Sequence, residues 1–457
     1  MSEPDSKLKH ARTHPLLAGG VVLIVMWVLQ LIVVLGPGIS GPVANDEQEF
    51  HLPTIRLFAE QMPSPDLSSY NVATTPGYHL LLAVAVNMGA ESDMALRLIG
   101  GQFAVLLAAL ITCWVGKRIE WPFAAVLALP AFVSIYTFSP MVLALPEAAA
   151  WLGVLAMLVI GLRRVVRREW FVVAGFVLVG LVCIRQIHIW AAVPIWLSAW
   201  LGSQQEREPD RLVPRPKELE LNDRLPLSVF AFLCTLPAFG VLAWFFWLWE
   251  GPVPPGFQTS EAASQITGAA VHSGGNLASP AMVLALFGLF APFFVVGLIP
   301  VIKRRLAEKP SVVWTVIVSG VLAFLISIVP ETSFDVSEGR WTGLWNLIEK
   351  MPTVGERSPF IIGLSVIGGI QLACLLLVIR SRDRLIIAGT LLAFTVAQAA
   401  NFQSWTRYLL PMVLFTLVML TTLAIQILPA RRFWHVLGPT VLAIAFSYGT
   451  VMRLIES

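Results

Sequence analysis

The sequence has few charged residues. Asp, Glu, Lys and Arg make up only 13% of its 457 residues, whereas soluble chains carry about 25%. Hydrophobic residues make up 57%, and the mean hydropathy is +0.77. This composition excludes a soluble globular protein. The basic residues form no stripe, so no nucleic-acid partner is predicted.

Cysteine pairs and metal-binding motifs are missing as well. The four cysteines lie singly inside apolar runs with no CxxC spacing, at Cys113, Cys183, Cys234 and Cys374. This pattern favours small buried side chains over disulfides or metal ligands. The seven histidines are scattered, and no P-loop, HExxH or GxSxG motif occurs. The sequence therefore predicts no metal site and no cofactor.

Long apolar runs are what the sequence has instead. Runs of 16 to 24 residues recur along the chain, and each is long enough to span a hydrocarbon core of about 30 Å. They predict an all-α polytopic membrane protein with one integral membrane domain over residues 1–457. Lys7, Lys9 and Arg12 precede the first run, and no small-residue cleavage site follows it. We therefore predict a retained first helix and not a removed signal peptide.

Basic clusters predict the orientation, because they mark the cytoplasmic side. Placing each cluster there gives about thirteen spans and a cytoplasmic N-terminus. The predicted spans are 16–35, 95–116, 121–139, 142–162, 169–184, 187–202, 226–249, 279–302, 311–330, 359–380, 385–401, 407–428 and 433–451. The short apolar stretch 78–88 fits this count only if it enters the interface without crossing. If it crosses, every later span is inverted.

The predicted loops divide unequally between the two sides. Residues 203–225 form the largest cytoplasmic loop, and 36–94, 250–278 and 331–358 form long non-cytoplasmic loops. Apolar residues among acidic neighbours in 45–62 predict a short amphipathic helix at the membrane surface.

Acidic residues in these loops are the candidate catalytic groups. Asp46 and Glu47 follow the first span, with His51 close behind, and Glu147 lies between two later spans. A carboxylate at this position could take a proton from a hydroxyl nucleophile. Alternatively, Asp46 and Glu47 form an acidic helix start, His51 lies in the interface, and Glu147 is a solvated loop residue.

Two arginine-containing stretches are the candidate binding groups for an anion. Arg185, Gln186 and His188 lie together between two apolar segments, and Arg407 and Tyr408 begin a later span. A guanidinium group can donate two hydrogen bonds to two oxygens of the same phosphate, so an anionic lipid phosphate is a candidate ligand. Headgroup anchoring is the alternative. Trp249 similarly fits an interface belt or stacking on a sugar.

The order of these stretches resembles the GT-C glycosyltransferases that use polyprenyl-phosphate sugars, most closely the eukaryotic alpha-1,2-glucosyltransferases of the Alg10 type. The family's Asp-Glu-x-x-His-x-Pro stretch resembles Asp46-Glu47 with His51 and Pro53, with one extra residue here. The other similar stretches are Thr74-Thr75-Pro76-Gly77-Tyr78, Arg185-Gln186-Ile187-His188-Ile189-Trp190, Trp249-Glu250-Gly251-Pro252 and, loosely, Arg407-Tyr408. The chain departs from the family at Gly256-Phe257-Gln258, where Gly-Asp-Lys is expected, and at Glu147, where aspartate is expected.

The resemblance implies a GT-C-like helix bundle and an inverting transfer of a sugar. The donor would be a polyprenyl- or dolichyl-phosphate sugar, glucose on the closest match, and the acceptor a lipid-linked or other glycan. Asp46 would act as the base that deprotonates the acceptor. Glu47 and Glu147 would help to position the acceptor or stabilise oxocarbenium character. Arg185 and Arg407 would neutralise the charge of the leaving phosphate. The remaining residues of the substrate site would be His51, Thr74, Thr75, Gln186, His188, Trp249 and Tyr408.

Alternatives remain for the compartment that the site faces and for the biochemical activity. The reaction would face the endoplasmic reticulum lumen or the bacterial periplasm, with membrane lipids around the protein. A transporter or flippase of an anionic polyprenyl-phosphate lipid would use the same charged groups. A structural membrane subunit is a third possibility.

Overall fold

The structure is a computed structural model that describes residues 14–36, 39, 41–203, 221–258, 274–308, 310–426 and 432–456. These residues form an all-helical protein, and no β-strand occurs among them. Lys7, Lys9 and Arg12 lie outside the described residues, as do most of the predicted loop 203–225 and residues 259–273 of the predicted loop 250–278.

Twenty α-helices occur among the described residues. In chain order they are α1 Pro15–Leu35, α2 Leu52–Gln61, α3 Gly77–Asn87, α4 Asp93–Gly116, α5 Trp121–Ala128, α6 Pro130–Val133, α7 Ile135–Val142, α8 Glu147–Gly161, α9 Arg168–Ile184, α10 Val193–Leu201, α11 Leu221–Trp249, α12 Pro255–Gln258, α13 Ser279–Val295, α14 Ile299–Glu308, α15 Pro310–Ile328, α16 Leu344–Ile348, α17 Pro359–Leu377, α18 Ser381–Ala399, α19 Thr406–Ile425 and α20 Arg432–Glu456. A π-helical turn, Glu47–His51, precedes α2, and a 3₁₀ segment, Gln186–Ala192, precedes α10.

Eight helical segments in the described chain are long and apolar enough to cross a membrane, so the protein is a multi-pass membrane protein. They are Pro15–Leu35, Asp93–Gly116, Arg224–Trp249, Ser279–Glu308, Ser311–Ile328, Pro359–Leu377, Thr406–Ile425 and Trp434–Leu454. The pair Trp121–Val133 and Ile135–Val142, bent by 78°, makes a ninth candidate. The predicted spans 142–162, 169–184, 187–202 and 385–401 are also largely helical, but α8, α9 and α10 are shorter and α18 begins with charged residues. The count of thirteen therefore stays a prediction.

Helix α3 covers the short apolar stretch 78–88 of the sequence. Its eleven residues extend about 16 Å, roughly half of a hydrocarbon core. Gly77 at its start packs against the Cys183 carbonyl, and the Asn87 amide at its end donates to the Ala59 carbonyl at 3.1 Å. The helix is thus held against α2 and the end of α9. That it does not cross the membrane stays a prediction.

The buried side chain of Gln30 holds three helices together near the candidate functional site. The Gln30 amide of α1 is fully buried and donates to the carbonyls of Arg97, Leu98 and Met141 at 3.2, 3.1 and 2.9 Å. A buried amide without such partners would be costly. Gln30 therefore ties α1, α4 and α7 together at the level of Arg97.

Helix α19 is almost entirely enclosed by other helices. Nearby, α13 and α17 lie in backbone contact, because a Cβ at Gly368 would come within 1.9 Å of the Leu284 carbonyl. Small residues allow such close approach between membrane helices. The enclosed start of α19 carries Arg407, which places this guanidinium inside the protein.

Candidate functional site

The site forms at one end of the bundle, where the π-helical turn Glu47–His51 leads into α2. Leu52, Ile55 and Phe58 are almost fully buried and attach α2 to the bundle. Residues 47–61 are therefore helical, close to the predicted 45–62. That this segment lies on a membrane surface stays a prediction. Because its buried face fixes the turn, Asp46, Glu47 and His51 are held in place.

Glu47 is completely buried in an ion pair with Arg97 of α4. The Arg97 Nε donates to both carboxylate oxygens at 3.0 and 3.1 Å, and its Nη2 donates to Oε2 at 2.6 Å. The Ala144 backbone N–H also donates to Oε1, at 2.6 Å. With its oxygens so fully engaged, Glu47 anchors the turn to α4 and to the segment that precedes Glu147.

Asp46 lies beside Glu47 but faces a different arginine. Arg407 Nη1 donates to the Asp46 carboxylate in an ion pair whose two side chains are each 26% exposed. Burial acts to raise the pKa of Asp46, but the Arg407 guanidinium, with smaller contributions from His51 and Arg185, lowers it below its ordinary value. Asp46 is therefore an ionised carboxylate at neutral pH that solvent can still reach.

Glu147 and Arg185 form a second, looser pair next to the first. Arg185 Nη1 lies 3.5 Å from Glu147 Oε1, and both side chains are nearly buried. Glu147 Oε2 has no hydrogen-bond partner among the described residues. An unpaired buried carboxylate oxygen is costly, so this atom is ready to accept a hydrogen bond from a bound molecule.

Tyr408 joins the two ion pairs. The guanidinium carbons of Arg185 and Arg407 lie 4.5 and 4.9 Å from the centre of its ring, within cation–π range. Arg407 Nη2 also donates to the Tyr408 hydroxyl at 2.8 Å. The fold thus brings together two guanidinium groups and two carboxylates from residues 46, 147, 185 and 407.

His51 lies within the field of all four of these charges and contacts a second histidine. Burial lowers its pKa more than Glu147 and Asp46 raise it, so the imidazole is neutral at pH 7. Its Nδ1 lies 2.8 Å from Nε2 of His79 on α3, and the two rings are nearly parallel. His51 is therefore positioned by His79 and not by solvent.

Gln186 and the two threonines connect the loops around the site. The Gln186 side chain accepts from the Thr75 N–H at 3.1 Å and donates to the carbonyls of Ala73 and Pro252 at 2.8 and 3.0 Å. The Thr75 hydroxyl donates to the Val182 carbonyl at 2.6 Å, and Thr74 is buried with its hydroxyl unpartnered among the described residues. These contacts hold the first loop against α9.

Trp249 is a packing residue in the structure. Its ring lies in a buried cluster with Tyr70 and Phe245, and its indole N–H donates to the Leu67 carbonyl at 2.9 Å. Trp249 is only 2% exposed, and it holds α11 against the first loop. This packing role differs from both roles predicted from the sequence, a place in an interface belt and stacking on a sugar.

A small pocket adjoins Arg185 and Tyr408. It is lined by Trp151, Arg185, Ile187, His188, Gln398, Asn401 and Tyr408. His188 Nδ1 and Gln398 Oε1 are buried and, in the described part of the chain, have no hydrogen-bond partner. Aromatic walls with a few convergent polar atoms are typical of small-molecule sites.

Sequence reasoning missed five residues here. Arg97 and His79 support Glu47 and His51, while Trp151, Gln398 and Asn401 line the pocket. Arg97 had a signal, since a charge inside an apolar run usually has a partner. His79 also had one, because it directly follows the Thr74–Tyr78 stretch. The described residues contain no group of three or more His, Cys, Asp or Glu side chains that could hold a metal.

Comparison with known proteins finds no relative. No family model, no curated protein and no solved structure matches the chain. The resemblance to polyprenyl-phosphate-sugar glycosyltransferases therefore rests on the short stretches quoted above.

Proposed function

We propose that this protein is a membrane glycosyltransferase that moves a hexose from a polyprenyl- or dolichyl-phosphate carrier to an acceptor hydroxyl on a lipid-linked or other glycan. The observation that carries the proposal is the meeting of Asp46, Glu147, Arg185 and Arg407 around the Tyr408 ring. Glucose, the inverting outcome, the thirteen spans and the non-cytoplasmic location are parts of the proposal that come from the resemblance and from the basic clusters.

The two arginines supply what a phosphate leaving group needs. Such a group departs without a general acid, but its developing negative charge must be stabilised. Arg185 and Arg407 are both held against Tyr408, and Arg407 Nε has no partner among the described residues. Two guanidinium groups at neighbouring positions are suited to the oxygens of one phosphate.

In the proposed reaction Asp46 removes the proton from the acceptor hydroxyl. The hydroxyl oxygen attacks the anomeric carbon, and the bond from that carbon to the phosphate oxygen breaks. Its electron pair leaves with the polyprenyl phosphate, whose charge Arg185 and Arg407 neutralise. Glu147, through its unpartnered oxygen, accepts a hydrogen bond from a sugar hydroxyl. Glu47 keeps the turn in place and takes no part in proton transfer.

Binding of the donor also makes Asp46 a stronger base. In the free protein the Arg407 guanidinium is shared with Asp46, which lowers the pKa of that carboxyl although burial acts to raise it. A donor phosphate competes for the same guanidinium. When Arg407 turns to the phosphate, burial is less opposed and the pKa of Asp46 rises towards the operating pH, where a general base works best.

The pocket beside Arg185 is the proposed position of the transferred sugar. Trp151 and Tyr408 form part of its lining, and His188 and Gln398 contribute buried nitrogen and oxygen atoms that have no partner among the described residues. Sugars bind through such combinations, because one face of the ring is apolar and its hydroxyl groups need partners.

A flippase for the same lipid is the competing activity. Transporter sites lie near the middle of the membrane, typically at the ends of broken helices, and these charges also lie at helix ends, at the start of α8 and α19 and the end of α9. The two activities separate in one assay. Purified protein in vesicles receives polyprenyl-phosphate glucose labelled in the sugar, together with a glycan acceptor. We expect label in the acceptor; label that crosses the bilayer while still on its carrier would reject the transferase.

Replacing Arg407 by glutamine is expected to shift the pH profile of transfer. Without this guanidinium, burial raises the pKa of Asp46 unopposed by its main partner. Because transfer needs the ionised carboxylate, the acidic limb of kcat/KM for the donor, which reports the donor-free protein, moves to higher pH. The position of the limb is measured independently of the reduced rate. Arg56→Gln, which removes an exposed guanidinium on α2, should leave the limb in place, and an unshifted limb in Arg407→Gln would reject Asp46 as the base.

A further inference from the structure

A second pocket lies at the opposite end of the bundle. It is lined by Arg118, Leu162, Arg164, Arg380, Asp383, Leu423 and Gln426. These residues come from the ends of α4, α8 and α19 and from the junction of α17 with α18. Three guanidinium groups thus face a pocket that has one carboxylate, and the transfer reaction uses none of them.

The single carboxylate is already balanced by a fourth arginine. Asp383 is buried, and its Oδ1 lies 3.6 Å from Nη1 of Arg382, which is also buried. The charges of Arg382, Arg118, Arg380 and Arg164 all act on Asp383. When Arg382 and Asp383 are counted as a neutral pair, three positive charges in the pocket have no compensating charge among its described lining residues.

Some of the arginines at this end of the bundle donate hydrogen bonds to backbone carbonyls at helix ends, but others do not. Arg382 donates to the carbonyls of Gly202 and Gly161, Arg384 donates to those of Leu376 and Ile379, and Arg118 donates to that of Trp114. The side chains of Arg164 and Arg380 make no hydrogen bond or ion pair within the described residues. Like charges held close together repel each other, so an anion bound between these two side chains would be favourable, and the described residues place none there.

We propose that this pocket binds a phosphate group, that of an anionic lipid headgroup or of a free phosphate, independently of the transfer site. Arg164 and Arg380 hold the phosphate oxygens, and Arg118 adds its charge from the end of α4. The pocket is at the end of the molecule that carries the basic clusters, where anionic lipids attract Lys and Arg. A bound phosphate would connect four parts of the helix bundle.

Native mass spectrometry of the full-length protein in detergent tests the proposal. Phosphatidylglycerol is the probe, and phosphatidylcholine is the lipid control. We expect Arg164→Gln with Arg380→Gln to weaken phosphatidylglycerol binding by about 30-fold, because each basic residue at an anionic surface contributes about a factor of five. Arg164 is exposed, so the single variant Arg164→Gln, with an expected loss of about fivefold, serves if the double variant does not fold.

A matched pair at the same end of the bundle provides the control. Arg163 packs over the Trp170 ring and Arg167 precedes α9, and neither lines the pocket. Arg163→Gln with Arg167→Gln removes the same charge and should weaken binding by less than about threefold, since diffuse attraction remains. Displacement of the lipid by inorganic phosphate would assign the pocket to any phosphate group, and a lack of displacement would assign it to lipid. Equal weakening in both double variants would overturn the proposal.

Discussion

Asparagine in place of Asp46 is expected to lower the rate of sugar transfer by a factor of about 10² to 10⁴, the usual contribution of a general base. Asparagine keeps the shape of the side chain but cannot take the proton of the acceptor hydroxyl. It also releases Arg407 from its ion pair. Donor binding should therefore be retained or become tighter while turnover falls. Initial rates with labelled donor, together with a separate donor-binding titration, measure the two effects.

Glu49→Gln is the matched control for this variant. Glu49 lies in the same turn, is exposed, and has no ion pair among the described residues. It should transfer sugar at the wild-type rate. If Asp46→Asn retained full activity, Asp46 would not be the base. Glu147, the other carboxylate at Tyr408, would then be replaced by glutamine in the same assay.

Alanine in place of Glu47 is expected to destabilise the protein by about 3–5 kcal/mol, the cost of leaving one partner of a buried ion pair alone. Glu47 is completely buried, and Arg97 is only 13% exposed. The variant would leave that guanidinium without its carboxylate and the Ala144 N–H without its acceptor. A lower midpoint of thermal unfolding in detergent should accompany the loss. Glu47→Leu with Arg97→Leu should be milder, because no unpaired charge remains.

An exposed ion pair between α2 and α4 is the comparison. Arg56 of α2 and Asp93 of α4 contact each other at 51% and 47% exposure. Such pairs contribute about 0–1 kcal/mol, so Asp93→Asn should leave the unfolding midpoint nearly unchanged. If Glu47→Ala were as mild as Asp93→Asn, the anchoring role assigned to Glu47 would be wrong.

The fold class could be predicted from the sequence because hydrocarbon imposes a strong constraint. Twenty apolar residues in a row can form little other than a membrane helix. The limits of this reasoning lie in α8, α9, α10 and α18, which are short or begin with charges. Whether such helices cross depends on neighbours that complete the apolar layer, and composition alone does not reveal them.

The site could be predicted in part, for a related reason. Asp46, Glu147, Arg185 and Arg407 drew attention because charges near hydrocarbon are expensive, and the fold brings them together. Their pairing could not be read from the sequence, since only packing decides which arginine meets which acid. Trp249 and Gln186 show the converse. Both side chains are suited to sugar binding, yet both donate their hydrogen bonds to backbone carbonyls.

The position of Arg407 on a late, enclosed helix has a consequence for biosynthesis. A chain made from its N-terminus exposes Asp46 long before α19 exists. Until that helix inserts, Asp46 lacks its guanidinium and Tyr408 is absent, so the two acids have no common centre. A nascent or prematurely terminated polypeptide that lacks α19 would therefore lack the assembled candidate site. Asp46, Arg407 and Tyr408 therefore meet only after most of the chain has been made and α19 has inserted.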